Sequence, residues 1–195
     1  TKIFHWNSER TLPTYLASVA VGPYALVTDT VSAQQGEIPV TYYVRPSDTT
    51  RARGCFVNMP AITGIFEESF GPYPFQRIGI TGTSLGAMEH AESIFYPNSS
   101  INGTLSDEWL YAHELSHMWF GDKVTCGSWT DIWLNEGFAT YLSGLCYEFL
   151  APVYWKRFRE VRVESIVSQP AGSVYCADTT SVSRIFDGRL SYAKG

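Results

Sequence analysis

His113-Glu114-Leu115-Ser116-His117 places two imidazoles four residues apart, with a carboxylate beside the first. On a helix that spacing is about one turn, so both rings share a face and can bind a single zinc ion, with Glu114 beside them as general base. Eighteen residues separate His117 from Glu136, a candidate third ligand. Two His, one Glu and a fourth position open to water describe a catalytic zinc site holding one Zn2+ per chain, not a closed structural site. At such a site zinc would lower the pKa of its bound water toward neutrality, and Glu114 could take the water's proton as general base.

The bland alternative is a surface helix that happens to carry two His, and the flanks argue against it. Trp109, Leu110, Leu115, Met118, Trp119 and Phe120 surround the ligands with apolar bulk, as in a buried helix. Ser106 or Asp107 is expected to cap its start and Gly121 to end it. A polar cluster buried there needs a partner, which a metal supplies. The rival pattern His-Glu-x-x-His-x-x-Gly-x-x-His fails, because Phe120 fills the Gly slot and Lys123 the third His slot. Glu136 lies in a second apolar segment running from Thr130 or Asp131 through Phe149, with Pro152 blocking its simple continuation. A core helix rarely carries a lone carboxylate, so an ordinary solvated Glu136 is the weaker reading.

Upstream lies Gly86-Ala87-Met88-Glu89-His90, and near the end of the chain Ser191-Tyr192-Ala193-Lys194-Gly195. With His-Glu-x-x-His, its distant Glu, Tyr73-Pro74-Phe75, Trp119-Phe120-Gly121 and Trp133-Leu134-Asn135-Glu136-Gly137-Phe138-Ala139, these segments resemble the M1 family of zinc aminopeptidases (gluzincins) from about Tyr73 onward. The resemblance implies an α+β, thermolysin-like zinc metalloprotease catalytic domain over residues 49–195. Residues 1–48 are then the last strands of an N-terminal all-β domain. It also implies parent domains on both sides, including a large helical one that closes the cleft. It assigns Glu89, backed by the backbone of Gly86 and Ala87, to the free α-ammonium of a peptide substrate, and Tyr192 to a hydrogen bond on the developing oxyanion. His90 departs from the family's usual Asn. A tolerated structural role is the favoured reading, and a shifted substrate preference or an added titrating group the other. Taken alone, Tyr192 is also compatible with an ordinary core tyrosine and Glu89 with a surface carboxylate.

The elements that must position these groups follow from pattern. Residues 14–45 read as β: Ala17–Val21 and Tyr24–Val27 flank a Gly22-Pro23 turn, and Ile38–Val44 follows a Gln-Gly turn. A helix is expected from about Pro60 to Phe70, a strand from Arg77 to Thr83, and an amphipathic helix from about Val153 to Ser168, ending before Pro170. Residues 171–191 read as loops with short structured pieces.

At 195 residues and 45% hydrophobic the chain can bury a real core, and 15% aromatic content suits a deep apolar cleft. A net charge of −5 without a basic run gives nucleic-acid binding little support. No apolar stretch reaches transmembrane length, and the opening residues do not read as a signal peptide. Cys55, Cys126, Cys146 and Cys176 match no zinc ribbon and are either buried thiols or one or two disulfides. Three functions compete: the aminopeptidase; an M1-like hydrolase with another main substrate, such as an endopeptidase or an epoxide hydrolase; and a noncatalytic binding module of the same fold. The presence of every ligand together with Glu114 argues against the third.

Overall fold

The computed structural model describes residues 3, 5, 7, 8 and 10–195. Thr1, Lys2, Phe4, Trp6 and Glu9 lie outside the described residues, and with them most of the stretch read against a signal peptide. One four-stranded sheet of order β1-β2-β3-β4 organises the chain. Strands β1 (Ala25–Ala33) and β2 (Gly36–Val44) form an antiparallel hairpin, and the turn between them needs the positive φ of Gly36, +116°. Along β2 the side chains of Ile38, Val40, Tyr42 and Val44 alternate inward, the period expected of a half-buried strand.

The chain then crosses through α1 (Thr49–Cys55) and α2 (Met59–Phe70), with Pro60 in the first turn of α2 as expected. It returns as β3 (Ile78–Thr83), parallel to β2 and buried at all six positions. Strand β4 (Ile94–Pro97) runs parallel to β3. The expected domain boundary at residue 48 falls between β2 and α1, and β2 pairs with β3 across it. Val40, Tyr42, Phe56, Phe66, Ile80 and Tyr111 are among the residues that share the core between this sheet and the helices.

The expected strand at Ala17–Val21 is absent. Thr14–Leu16 forms a single 3₁₀ turn, and Val19 and Val21 are 85% and 92% exposed. A strand is held by its ladder, and no neighbouring strand offers one here.

The helices at the candidate metal ligands are α3 (Glu108–Ser116), with His117 at its C-cap, and α4 (Trp133–Leu150), which pack against each other. Asp107 occupies the N-cap of α3, but its side chain does not cap; it accepts from Asn102 Nδ2 at 3.4 Å. Helix α3 ends at Ser116, before Gly121. The chain leaves through wide turns in which Asp122, Lys123 and Val124 donate to the carbonyls of His117, Met118 and Trp119. A 3₁₀ turn over Trp129–Asp131 precedes α4, and Ser128, not Thr130 or Asp131, caps it by accepting from Thr130 N. Pro152 opens α5 (Pro152–Ser168) in its first turn. The half-buried stripe Trp155, Phe158, Arg162, Ser165 and Ile166 of α5 has helical spacing, as expected of an amphipathic helix. Beyond it come α6 (Val182–Ile185) and a π-helical turn over Gly188–Lys194. All four cysteines are free thiols, with Cys55 and Cys146 buried. Among the described residues, no helix is long and apolar enough to cross a membrane.

Candidate active site

His113 and His117 lie one turn apart on α3 and are 6% and 1% exposed. Their Nε2 atoms are 3.1 Å apart, and Glu136 Oε2, from the first turn of α4, stands 3.2 Å from one and 3.3 Å from the other. A tetrahedral zinc ion with bonds of about 2.0–2.1 Å separates its ligand atoms by roughly 3.3 Å. The three atoms are therefore already spaced as the edges of such a site.

Backbone groups fix the ligands. His117 Nδ1 donates to the carbonyl of Phe120 at 2.9 Å, which leaves Nε2 of the neutral ring with its lone pair toward the cluster. That contact depends on Gly121. Its φ is +148°, and a Cβ there would lie 2.8 Å from His117 Nδ1. At the start of α4, Asn135 Oδ1 accepts from Cys126 N at 3.1 Å and Asn135 Nδ2 donates to Tyr15 Oη at 3.1 Å, tying the helix to the loop before it.

Glu114 lies 5% exposed beside the ligands, and its Oε2 has no hydrogen-bond partner. Glu89, 3% exposed, comes within reach of Glu114 and His117. It is delivered by an antiparallel bridge in which Met88 and Phe95 exchange both backbone hydrogen bonds, at 3.1 and 2.9 Å. The segment Gly86–His90 thus extends the sheet edge beyond β4. Ala87, Met88 and Glu89 line the cavity over the site, whereas Gly86 is exposed and stands outside its lining. His90 turns away: its Nδ1 donates to the carbonyl of Leu16 at 3.2 Å and its ring meets Phe95 edge-on, which fits the structural role.

Tyr192 projects from the π-helical turn and stacks on the His113 ring at 5.9 Å with planes 19° apart. Asp187 caps this turn by accepting from Arg189 N and Leu190 N at 2.9 and 2.8 Å. Lys194 and Arg189 donate to carbonyls of residues 169–172 and hold it from the other side. Gly137 lets the turn approach α4, because a Cβ there would meet the backbone of Gly195 at 2.2 Å.

The electrostatics follow from burying four carboxylates, Glu89, Glu114, Asp122 and Glu136, around two imidazoles. Burial, reinforced by Glu89, Glu136 and Asp122 against the pull of His117, drives the Glu114 carboxyl well above its usual range. Burial also works to raise Glu136, but His117 and His113 and their hydrogen bonds outweigh it and hold the group at about 2. Asp122, with neither oxygen bonded, is pushed up to about 9 by burial and by Glu89. Burial draws His113 down, and it opposes the neighbouring carboxylates Glu89, Glu136 and Glu114 that raise His117. Tyr192 is held above its ordinary range by burial and by Glu136, Glu89 and Glu114, so it keeps its proton. A buried cluster of carboxyl and imidazole groups calls for a partner, and two imidazole nitrogens with one carboxylate suit zinc. A second grouping, Glu89, Glu114 and His117, has only one nitrogen and suits it less.

The cavity measures about 590 Å³. It is also lined by Thr140, one turn beyond Glu136, and by Arg162, neither of which was singled out from the sequence. Thr140 was findable from its i+4 spacing to Glu136. Nothing local marks Arg162 among the other basic residues of α5.

The chain is 30% identical over 217 residues to aminopeptidase M1 of Arabidopsis thaliana, which covers all of the chain and 24% of the relative. It is 29% identical over 215 residues to aminopeptidase N of Streptomyces lividans, covering 97% of the chain and 25% of the relative. The chain thus spans about a quarter of the length of these relatives. Among solved structures, a mutant M1 zinc metallopeptidase from Deinococcus radiodurans bound to a Tyr-Ser-Ala substrate superimposes with a TM-score of 0.74. That match has 25% identity and covers 96% of this chain and 42% of the other. Residues 59–195 match the family model described as the peptidase family M1 domain. The α+β fold is that of the M1 metallopeptidases, and the chain belongs to peptidase family M1.

Proposed function

We propose that this chain carries the catalytic centre of a zinc-dependent aminopeptidase that removes the N-terminal residue from peptides with a free amine. The observation carrying this reading is the triangle of His113 Nε2, His117 Nε2 and Glu136 Oε2, with edges of 3.1 to 3.3 Å and an unpartnered Glu114 carboxylate oxygen beside it. His113, His117 and Glu136 hold one zinc ion. Zinc bound there supplies Lewis acidity and makes water nucleophilic near neutral pH. Glu114 takes the proton of the attacking water and passes it to the leaving amine. Tyr192 keeps its hydroxyl proton and through it donates a hydrogen bond to the charge developing on the carbonyl oxygen. Glu89 receives the substrate's α-ammonium, and as a buried carboxylate it disfavours an acylated terminus that brings no charge. Ala87 supports that end of the substrate from the cavity wall, and we assign backbone of Gly86 to the same role from just outside it.

A paired rate assay tests this. The zinc-loaded protein is given a panel of aminoacyl anilides with free amines, and the same panel N-acetylated. Cleavage of the free-amine set alone is the expected result. Equal cleavage of both sets would remove Glu89 as an ammonium site, and a zinc-loaded protein that cleaves neither would favour the binding-module reading.

A further inference from the structure

The inward stripe of α5 contains one charged residue. Trp155, Phe158, Ser165 and Ile166 are what such a face ordinarily carries, and Arg162 stands in the middle of it, half-buried. Its guanidinium lies 5.1 Å from the centroid of the Phe158 ring, and that ring is itself stacked on Trp155. Phe158 is held in turn by α4, where it packs so closely on Gly144 that a Cβ there would come within 2.3 Å of the ring. Arg162 is thus seated on a ring stack, and it lines the same cavity as Glu89, Glu114 and Tyr192.

Among the described residues Arg162 makes no ion pair and no hydrogen bond, its one recorded contact being the Phe158 ring. Several other basic side chains are occupied. Arg51 pairs with Asp48 and Arg184 with Asp178, while Arg189 donates to two carbonyls. Burial draws the ionisation of Arg162 down, and among the described residues no carboxylate offsets it. A guanidinium offers five N–H donors and stays charged at any working pH. Leaving it half-buried and unpaired at the wall of a cavity is costly unless something entering the cavity pairs with it.

We propose that Arg162 is a docking point for a carboxylate of the substrate, a reading that rests on the aminopeptidase assignment above. A peptide entering the cavity then meets a carboxylate, Glu89, for its ammonium and a cation, Arg162, for its negative end. A cavity of about 590 Å³ is of the size that holds a short peptide. The carboxylate has two sources, the C-terminus of a short peptide or an acidic side chain, and both present the planar pair of oxygens that a guanidinium binds in bidentate fashion.

Two substrate pairs separate the sources. Ala-Ala-Ala is compared with its C-terminal amide, and Ala-Asp amide with Ala-Asn amide, using zinc-loaded full-chain protein. We expect kcat/KM to favour the carboxylate member of at least one pair by about tenfold, the effect of one charge-assisted hydrogen bond at a half-exposed site. In Arg162→Gln that ratio falls to about one. In Arg162→Lys, which keeps the charge, it stays above one. A preference in the first pair assigns the site to the peptide C-terminus, and one in the second assigns it to a side chain. No preference in either pair overturns the proposal. So does a preference that Arg162→Gln leaves intact, including the case where both members slow equally, which would make the residue structural.

Calorimetric titration of the same peptides into Glu114→Gln protein, with and without Arg162→Gln, reads the carboxylate preference without turnover. Carboxylate-dependent binding with no hydrolysis by the Glu114 protein would sink the aminopeptidase reading and keep the Arg162 site. Hydrolysis with no discrimination would do the reverse.

Discussion

Helices α3 and α4 differ from α5 in how deeply they are buried and in what they bury. From Tyr111 to Trp119 every residue is buried, including two imidazoles and a carboxylate, and α4 buries Asn135 and Glu136 in the same way. Along α5 no residue is fully buried, and Val153, Tyr154, Val163 and Val167 are 55–75% exposed. Polar groups inside the first pair are positioned by a shell that has little freedom to move, so the three ligand atoms are already spaced for a metal. The one cation on the inner face of α5 is held by a single ring and has room to adapt. Under the function proposed above, the difference amounts to a division of labour, with chemistry assigned to the tightly packed pair and discrimination among substrates to the looser helix.

The sharpest way to break that division is Glu114→Gln. We expect zinc content to be unchanged and kcat to fall by about 10²–10⁴-fold, the range for losing a general base. Retained turnover would remove Glu114 from the chemistry. Leu115→Ala tests the rigidity of the pair. Leu115 is 0% exposed in the middle of α3, and its truncation should cost about 2–5 kcal/mol in chemical denaturation. A loss below about 1 kcal/mol would show that the shell relaxes freely. Tyr192→Phe should lower kcat by about a hundredfold and change KM little, since the hydroxyl acts on charge that develops only in the transition state. A change confined to KM would place Tyr192 in ground-state binding.

A smaller effect concerns Asp122, buried with both oxygens unpartnered. In the folded chain it keeps its proton to about pH 9, whereas its ordinary value is 3.8. Between these values unfolding releases a proton, so this group makes the fold less stable as pH rises from about 4 to about 9. Asp122→Asn should therefore raise the Tm of zinc-free protein, by more at pH 8 than at pH 5. An equal shift at both would refute the buried-proton account. Smallest of all, Val167→Ala on the exposed side of α5 should change stability by less than about 0.5 kcal/mol. A large loss would mean that α5 is packed as tightly as α3 and would erase the comparison.

The placing of His113 and His117 on one helix face, the position of Glu114 beside them and the ends of α2 and α5 were legible in the chain itself, because each depends on local spacing. An i to i+4 pair shares a helix face whatever surrounds it. A proline marks a first turn by its fixed φ and missing N–H. Helix starts read from caps were less secure. Ser128 rather than Thr130 or Asp131 caps the turn before α4, and Asp107 is occupied by Asn102 instead of by its own helix. Short polar side chains take whichever N–H comes nearest.

The strand expected at residues 17–21 failed for a different reason. Alternating apolar residues make a strand only when another strand is there to bond them, and local pattern carries no information about that partner.

Other features were decided by tertiary contact alone. The sequence places Glu136 on a helix, but only packing of α4 on α3 brings its oxygen to 3.2 Å from His113. Gly137 is an ordinary helix glycine until the turn carrying Tyr192 docks against it. Arg162 is one of several arginines on α5 until the fold turns it toward the cavity, where among the described residues it forms no ion pair. The identity and local spacing of the reacting groups are properties of the chain, whereas their convergence and the absence of a partner for one cation depend on elements far apart in sequence, which only the folded packing brings together.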